Sequence, residues 1–129
     1  MSTIERFEDL VAWQKARELR MAVYTFTKLP HVRRDRGFVD QIQRASVSVM
    51  SNIAEGFERG RRPEFHQYLS TAKASCGEVR SLLYVALDEH YLDAPAFSSL
   101  SKLAEEVGRI VGGLRAAVAR QRDAQATAR

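Results

Sequence analysis

Between Phe38 and Arg59 (FVDQIQRASVSVMSNIAEGFER) apolar and small residues recur at steps of four and three. Phe38, Ile42, Ala45, Val49, Asn52 and Gly56 fall on one stripe of an α-helix, and Met50, Ile53 and Phe57 widen it. The stripe carries Ala45, Ser48, Asn52 and Gly56 where a bundle helix more often carries leucine. Small residues admit a neighbouring helix closely, and a polar group on such a face needs a hydrogen-bond partner once buried. The pattern predicts that this is the most enclosed helix of the fold, packed on more than one side.

The same periodicity continues on either side. Glu8 and Asp9 precede a run in which Ala12, Ala16, Leu19, Val23 and Phe26 share a face, and Pro30 closes that helix. Trp13, near its start, is large enough to anchor a core edge or an interface. His31–Gly37 reads as a charged turn, and the central helix then runs to about Gly60. Pro63 suits the first turn of a third helix, whose apolar face is Phe65, Tyr68, Leu69, Ala72, Val79, Leu82, Leu83 and Ala86, ending near Tyr91. Asp93 reads as the N-cap of a fourth helix with Pro95 in its first turn. Leu100, Leu103, Val107, Ile110, Leu114 and Ala117 form that helix's face. Four amphipathic helices with short connections and no strand pattern predict an all-α fold, an up-down-up-down antiparallel four-helix bundle. One domain over residues 1–122 accounts for the pattern, with 123–129 as a frayed tail.

Composition changes this picture little. The chain has 129 residues, enough to bury a core without cross-links. Its single cysteine, Cys76, rules out an internal disulfide and fits a reducing compartment. No segment has the apolar length of a signal core or a membrane span, so a cytoplasmic location is the expectation. Net charge is +4, most of the positive charge being arginine. Such an excess permits contact with nucleic acid without demanding it.

Placement of the arginines matters more than their number. In an up-down bundle the second connection and the C-terminus share one end, which collects Arg59, Arg61, Arg62, Arg120, Arg122 and, further along, Arg129. The other end mixes Arg33, Arg34 and Arg36 with Asp35, Asp40, Asp88, Glu89 and Asp93. The first pole is the candidate nucleic-acid surface, its contacts expected to depend steeply on salt. The competing reading is a solvated surface that serves solubility.

Catalytic chemistry finds no such placement. Di-iron bundles need Glu-x-x-His pairs on facing helices, and none occurs; His31, His66 and His90 are scattered. Gly56–Gly60 lacks the spacing and the Lys-Ser/Thr of a phosphate loop. No catalytic, cofactor or metal residue is assigned, and no small-molecule substrate is identified. Gly108 and Gly112, with Gly113 beside them, offer a small face for close helix packing within the bundle or between subunits. If the central and third helices turn about Arg61, Arg44 lies level with Glu78 and Asn52 with Ser70. An Arg44–Glu78 ion pair and an Asn52 hydrogen bond are therefore expected to fix their register, with Glu55 and Gly56 part of the same structural motif.

Three stretches carry a family resemblance: FEDLVAWQKARELRMAVYTFTKLP, QIQRASVSVMSNIAEGFERG and FHQYLSTAKASCGEVRSLLYVALDEHYL. They resemble the four-helix-bundle family of ribosomal-RNA intervening-sequence proteins. Its Asn-Ile-Ala-Glu-Gly core stands here as Asn52–Gly56, and its Gln-x-x-Arg-Ala lead-in as Gln41–Ala45. Gln43 replaces a commonly basic position and Ala74 a common glycine. The chain is also similar to the accessory variability determinant of diversity-generating retroelements, a basic pentameric barrel that binds nucleic acid and its reverse transcriptase. The resemblance implies a small bacterial protein, a homopentamer in known members, with no established enzymatic activity. The expected role is a non-catalytic binding module whose arginine pole meets RNA, DNA or a nucleic-acid enzyme. The alternative is a scaffold for another protein partner, with no nucleic acid bound.

Overall fold

A computed structural model describes residues 4–128, with side chains through residue 121. The described chain is all-α. A 3-10 turn (Phe7–Asp9) is followed by α1 (Val11–Thr27), α2 (Pro30–Arg33), α3 (Arg36–Glu58), α4 (Arg62–Asp88) and α5 (Ala94–Ala128). No strand occurs among the described residues.

In α1 the five predicted face residues, Ala12, Ala16, Leu19, Val23 and Phe26, are all buried. Its start is built differently from the expectation. Glu8 and Asp9 lie in the 3-10 turn, and the capping position is an extended Leu10 with no side-chain bond. The expected turn at His31–Gly37 is partly helical, because α2 buries Val32 completely and Pro30 sits where its missing N–H costs nothing. Asp35 then caps α3: its Oδ1 accepts from the Phe38 amide at 3.2 Å, and its Oδ2 accepts from the Tyr91 hydroxyl at 2.6 Å.

Helix α3 packs on α1 and α4 and also touches α2 and the 3-10 turn, as its small-residue stripe implied. Ile42, Val49 and Ile53 meet a core that includes Leu19, Leu69 and Leu83, all fully enclosed. Burying each such side chain contributes roughly 1.5–3 kcal/mol. The polar members of the stripe are satisfied, and no buried side-chain nitrogen or oxygen among the described residues lacks a partner.

The α3–α4 register agrees with the sequence to within a residue, but other side chains hold it. Ser48 Oγ and Ser75 Oγ lie 2.8 Å apart across the helices, and the Tyr68 hydroxyl donates to Glu55 Oε1 at 3.2 Å. Asn52 does not reach Ser70. Its amide donates to Ser48 O at 2.8 Å and to Ser48 Oγ at 2.9 Å, so it positions the serine that crosses. The Arg44–Glu78 ion pair does not form: both side chains are exposed, and Arg44 lines a surface groove with Tyr24 and Asp40. Gln43 ties α3 to α1 through Thr27, donating to its Oγ1 at 3.1 Å.

Helix α4 ends in a left-handed residue, His90 at φ 61°, with Tyr91 N donating to Ala86 O at 2.8 Å. That reversal matches the Schellman pattern of helix ends. Asp93 caps α5 as predicted, its Oδ1 accepting from the Ala96 amide at 2.8 Å. The α5 stripe is rotated from the expected one. Ala104, Val107, Val111 and Val118 are buried, while Leu100, Leu103, Ile110 and Leu114 are half-buried. Helix α5 packs on both α4 and α1, so its apolar arc is divided between two neighbours. The helix continues through Ala128, past the end of the apolar pattern.

Candidate nucleic-acid interface

The predicted basic pole is assembled by the reversal between α3 and α4. Gly60, at φ 74°, takes a backbone conformation that a side chain would strain, and Pro63 sits in the first turn of α4. The Arg62 Nε donates to Gln121 Oε1 at 3.1 Å, which joins this turn to the far end of α5 and brings Arg120 to the same pole. The Arg122 side chain lies outside the described residues.

The four described arginines differ in their surroundings. Arg59 is paired with Glu55 at 3.2 Å and with Glu64 at 3.9 Å, and its guanidinium lies 5.4 Å from the Tyr68 ring centre. The Glu55 hydrogen bond, then Tyr68, raises the affinity of Arg59 for its proton. Arg61 pairs with Glu64 at 3.4 Å, yet 76% of its side chain is exposed. Arg62 and Arg120 are exposed and form no ion pair among the described residues. Glu55, Glu58 and Glu64 thus share the pole with these arginines, so the local excess of charge is smaller than the arginine count implied.

Sequence reading missed an open cavity of about 700 Å³ at this pole. Phe57, Phe65, Leu114 and Val118 contribute its apolar side, and Arg61 and Arg62 line it as well. The two phenylalanines meet edge to face, with ring centres 5.9 Å apart. The available signal was an aromatic residue on each flank of the Arg59–Arg62 turn. Such a site can take a flat apolar group on its floor and an anion at its edge.

The predicted motif residues organise packing beneath this pole. Glu55 accepts from both Tyr68 and Arg59. A Cβ added at Gly56 would stand 2.6 Å from Tyr68 Cβ and 3.0 Å from Phe65 Cδ1, so only glycine allows α4 this close. Among the described residues no group of His, Cys, Asp and Glu could hold a metal ion. Cys76 is a core residue, and burial pushes its thiol up to about 11. No described helix is long and apolar enough to cross a membrane.

No curated protein matches the sequence. A solved structure of similar shape is a protein with unknown function from the S23 ribosomal protein family of Bacteroides thetaiotaomicron VPI-5482. It superposes with a TM-score of 0.74 at 20% identity, covering 81% of this chain and 98% of its own, a likeness of fold. The family model described as 23S rRNA-intervening sequence protein matches residues 8–113, spanning α1 through most of α5. The chain therefore belongs to the 23S rRNA-intervening sequence protein family.

Proposed function

We propose that the protein is a non-catalytic, self-associating up-down-up-down four-helix bundle that binds nucleic acid through its arginine-bearing pole. The observation that carries the reading is the cavity between α3, α4 and α5, where Phe57 and Phe65 adjoin Arg61 and Arg62. A nucleotide combines a flat base with an anionic phosphate, and this floor and edge fit those two parts. Arg120, exposed and next to Gln121 in α5, adds a cation at the same pole. Exposed ion pairs are weak, so a phosphate can displace Glu64 from Arg61.

The bundle topology is supported by cross-helix contacts whose residue numbers run in opposite senses on neighbouring helices. Ser48–Ser75 and Glu55–Tyr68 join α3 to α4, while Arg62–Gln121 and Arg80–Glu105 join α4 to α5. Self-association, as a homopentamer on the family resemblance, is supported by exposed apolar side chains at Val11, Met21, Val47, Tyr84 and Val85. In a ring of parallel subunits the pole would recur around the axis and form one basic face.

Fluorescence anisotropy with labelled single-stranded RNA and DNA tests the pole. The triple substitution Arg61→Ala, Arg62→Ala and Arg120→Ala should weaken binding by about tenfold or more at low salt, each lost phosphate contact contributing to the drop. Binding that survives it unchanged refutes the assignment to this pole.

A further inference from the structure

A second concentration of positive charge runs along the outer groove between α4 and α5. Lys73, Arg80 and Arg109 line a depression of about 270 Å³, in which Glu105 supplies the only carboxylate among the lining residues. Glu105 lies 3.7 Å from Arg80, whereas Lys73 and Arg109 form no ion pair among the described residues. Towards the pole the line continues through Arg115, whose Nη1 donates to Ser70 Oγ at 3.4 Å, and then Arg62. From Arg62 to Arg80 the helix rises about 27 Å, at about 1.5 Å per residue.

The floor of this groove is a separate observation. Gly77 and Gly108 line it, Gly112 lies one turn further along beside Lys73, and packing within the chain does not require them. A Cβ at Gly77 would meet nothing within 4 Å. One at Gly108 would come no closer than 3.9 Å to Cys76 Cβ, an ordinary contact. At Gly112 the nearest atom is Lys73 Cε at 3.6 Å, the end of a flexible chain. Glycine inside a helix costs stability relative to alanine, so a row of them with no internal neighbour to accommodate points to something approaching from outside.

We propose that the α4–α5 groove is a track for the sugar–phosphate backbone of a nucleic acid, continuous with the pole. The assignment rests on the nucleic-acid reading above and names a longer surface for it. A protein partner, including a second copy of this chain, fits less well. Protein interfaces centre on apolar anchors, and the apolar residues lining this groove, Cys76 and Ala104, are buried. Phosphate contacts need only cations and close approach, and a duplex carries a phosphate about every 3.4 Å per strand. Several phosphates therefore pass along the groove at once. Phosphate contacts from lysine and arginine are the same whatever base is attached, so the track holds the backbone and leaves sequence unread.

The test uses the full chain and labelled 20-base-pair duplexes of RNA and of DNA, titrated at several salt concentrations. Lys73→Ala with Arg109→Ala removes two cations that hold no ion pair. The logarithmic salt slope should flatten by about two, and affinity should fall by about tenfold at low salt. Gly77→Glu, whose Cβ would meet nothing within 4 Å, adds a carboxylate to the groove and should weaken binding while the circular dichroism melt stays intact. RNA and DNA arms that respond alike identify the shared backbone as the ligand, and a response of one alone assigns the track to that polymer. If the wild type binds, the pole variant loses binding and both groove variants match the wild type, the groove is overturned while the pole reading stands. No binding by the wild type overturns both. Competition by polyglutamate as effective, charge for charge, as by the duplex would overturn the nucleic-acid assignment in favour of an acidic protein.

Discussion

Gly56 and Gly113 are both helical glycines, yet their surroundings call for opposite responses to the same substitution. At Gly56 an added methyl group meets the Cβ of Tyr68, an atom fixed to the α4 backbone that cannot swing aside. Gly56→Ala should therefore destabilise the protein by about 1–3 kcal/mol, as overpacking does. At Gly113 the methyl group enters open space, and Gly113→Ala should stabilise by up to about 1 kcal/mol through helix propensity. Urea unfolding of the two variants checks both signs, and equal shifts in one direction would contradict the packing described. In the sequence these glycines looked alike, as small residues on helix faces. Only the position of the facing Cβ separates them, and periodicity carries no such information. Asn52 teaches the same lesson: its polarity predicted a partner, but its position on α3 sends it to Ser48, which makes the crossing bond with Ser75.

At the scale of elements, the helices were legible because apolar residues repeat at helical spacing over long runs. The junctions were less so. Asp93 could be recognised as a cap because it stands alone before Pro95, whereas Asp35 was hidden in the charge-dense stretch from His31 to Gly37. In the structure Asp35 ties α3 to the α4–α5 connection, capping α3 while accepting the Tyr91 hydroxyl. The Tyr91 bond first, and the Phe38 amide second, hold its carboxyl below its ordinary range. A carboxylate with a depressed folded value contributes stability above its unfolded value, near 4, and loses it as pH falls through the folded one. Asp35→Asn should lower the melting temperature at pH 7, and its gap to the wild type should narrow as pH falls below about 4. A gap that stays constant from neutral to strongly acid pH would remove Asp35 from this role. The same hydrogen bond raises Tyr91, whose contribution therefore persists through neutral pH and is lost only as pH rises past the ordinary tyrosine range.

For the whole molecule, the sequence located the arginines but not the carboxylates that accompany them. Glu55 and Glu64 moderate the pole because the α3–α4 reversal sets them beside Arg59 and Arg61. The cavity floor was illegible for a related reason: Phe57 and Leu114 are distant in sequence and meet only once α3, α4 and α5 are assembled. The proposed homopentamer predicts a light-scattering mass about five times that of the 14.6 kDa chain, and a monomeric mass would remove the recurring basic face. A charge such as Val47→Asp, at an exposed apolar position on α3, should reduce the mass if that face lies between subunits.

The central claim is that this protein binds nucleic acid electrostatically, and a salt-dependent titration tests it most directly. Purified, nuclease-treated wild-type protein is titrated into labelled structured RNA and duplex DNA from low to physiological salt. Micromolar or tighter binding at low salt, with affinity falling linearly on logarithmic axes as salt rises, is the predicted result. No binding to either polymer at the lowest salt would contradict the account and leave the arginines as a solvated surface.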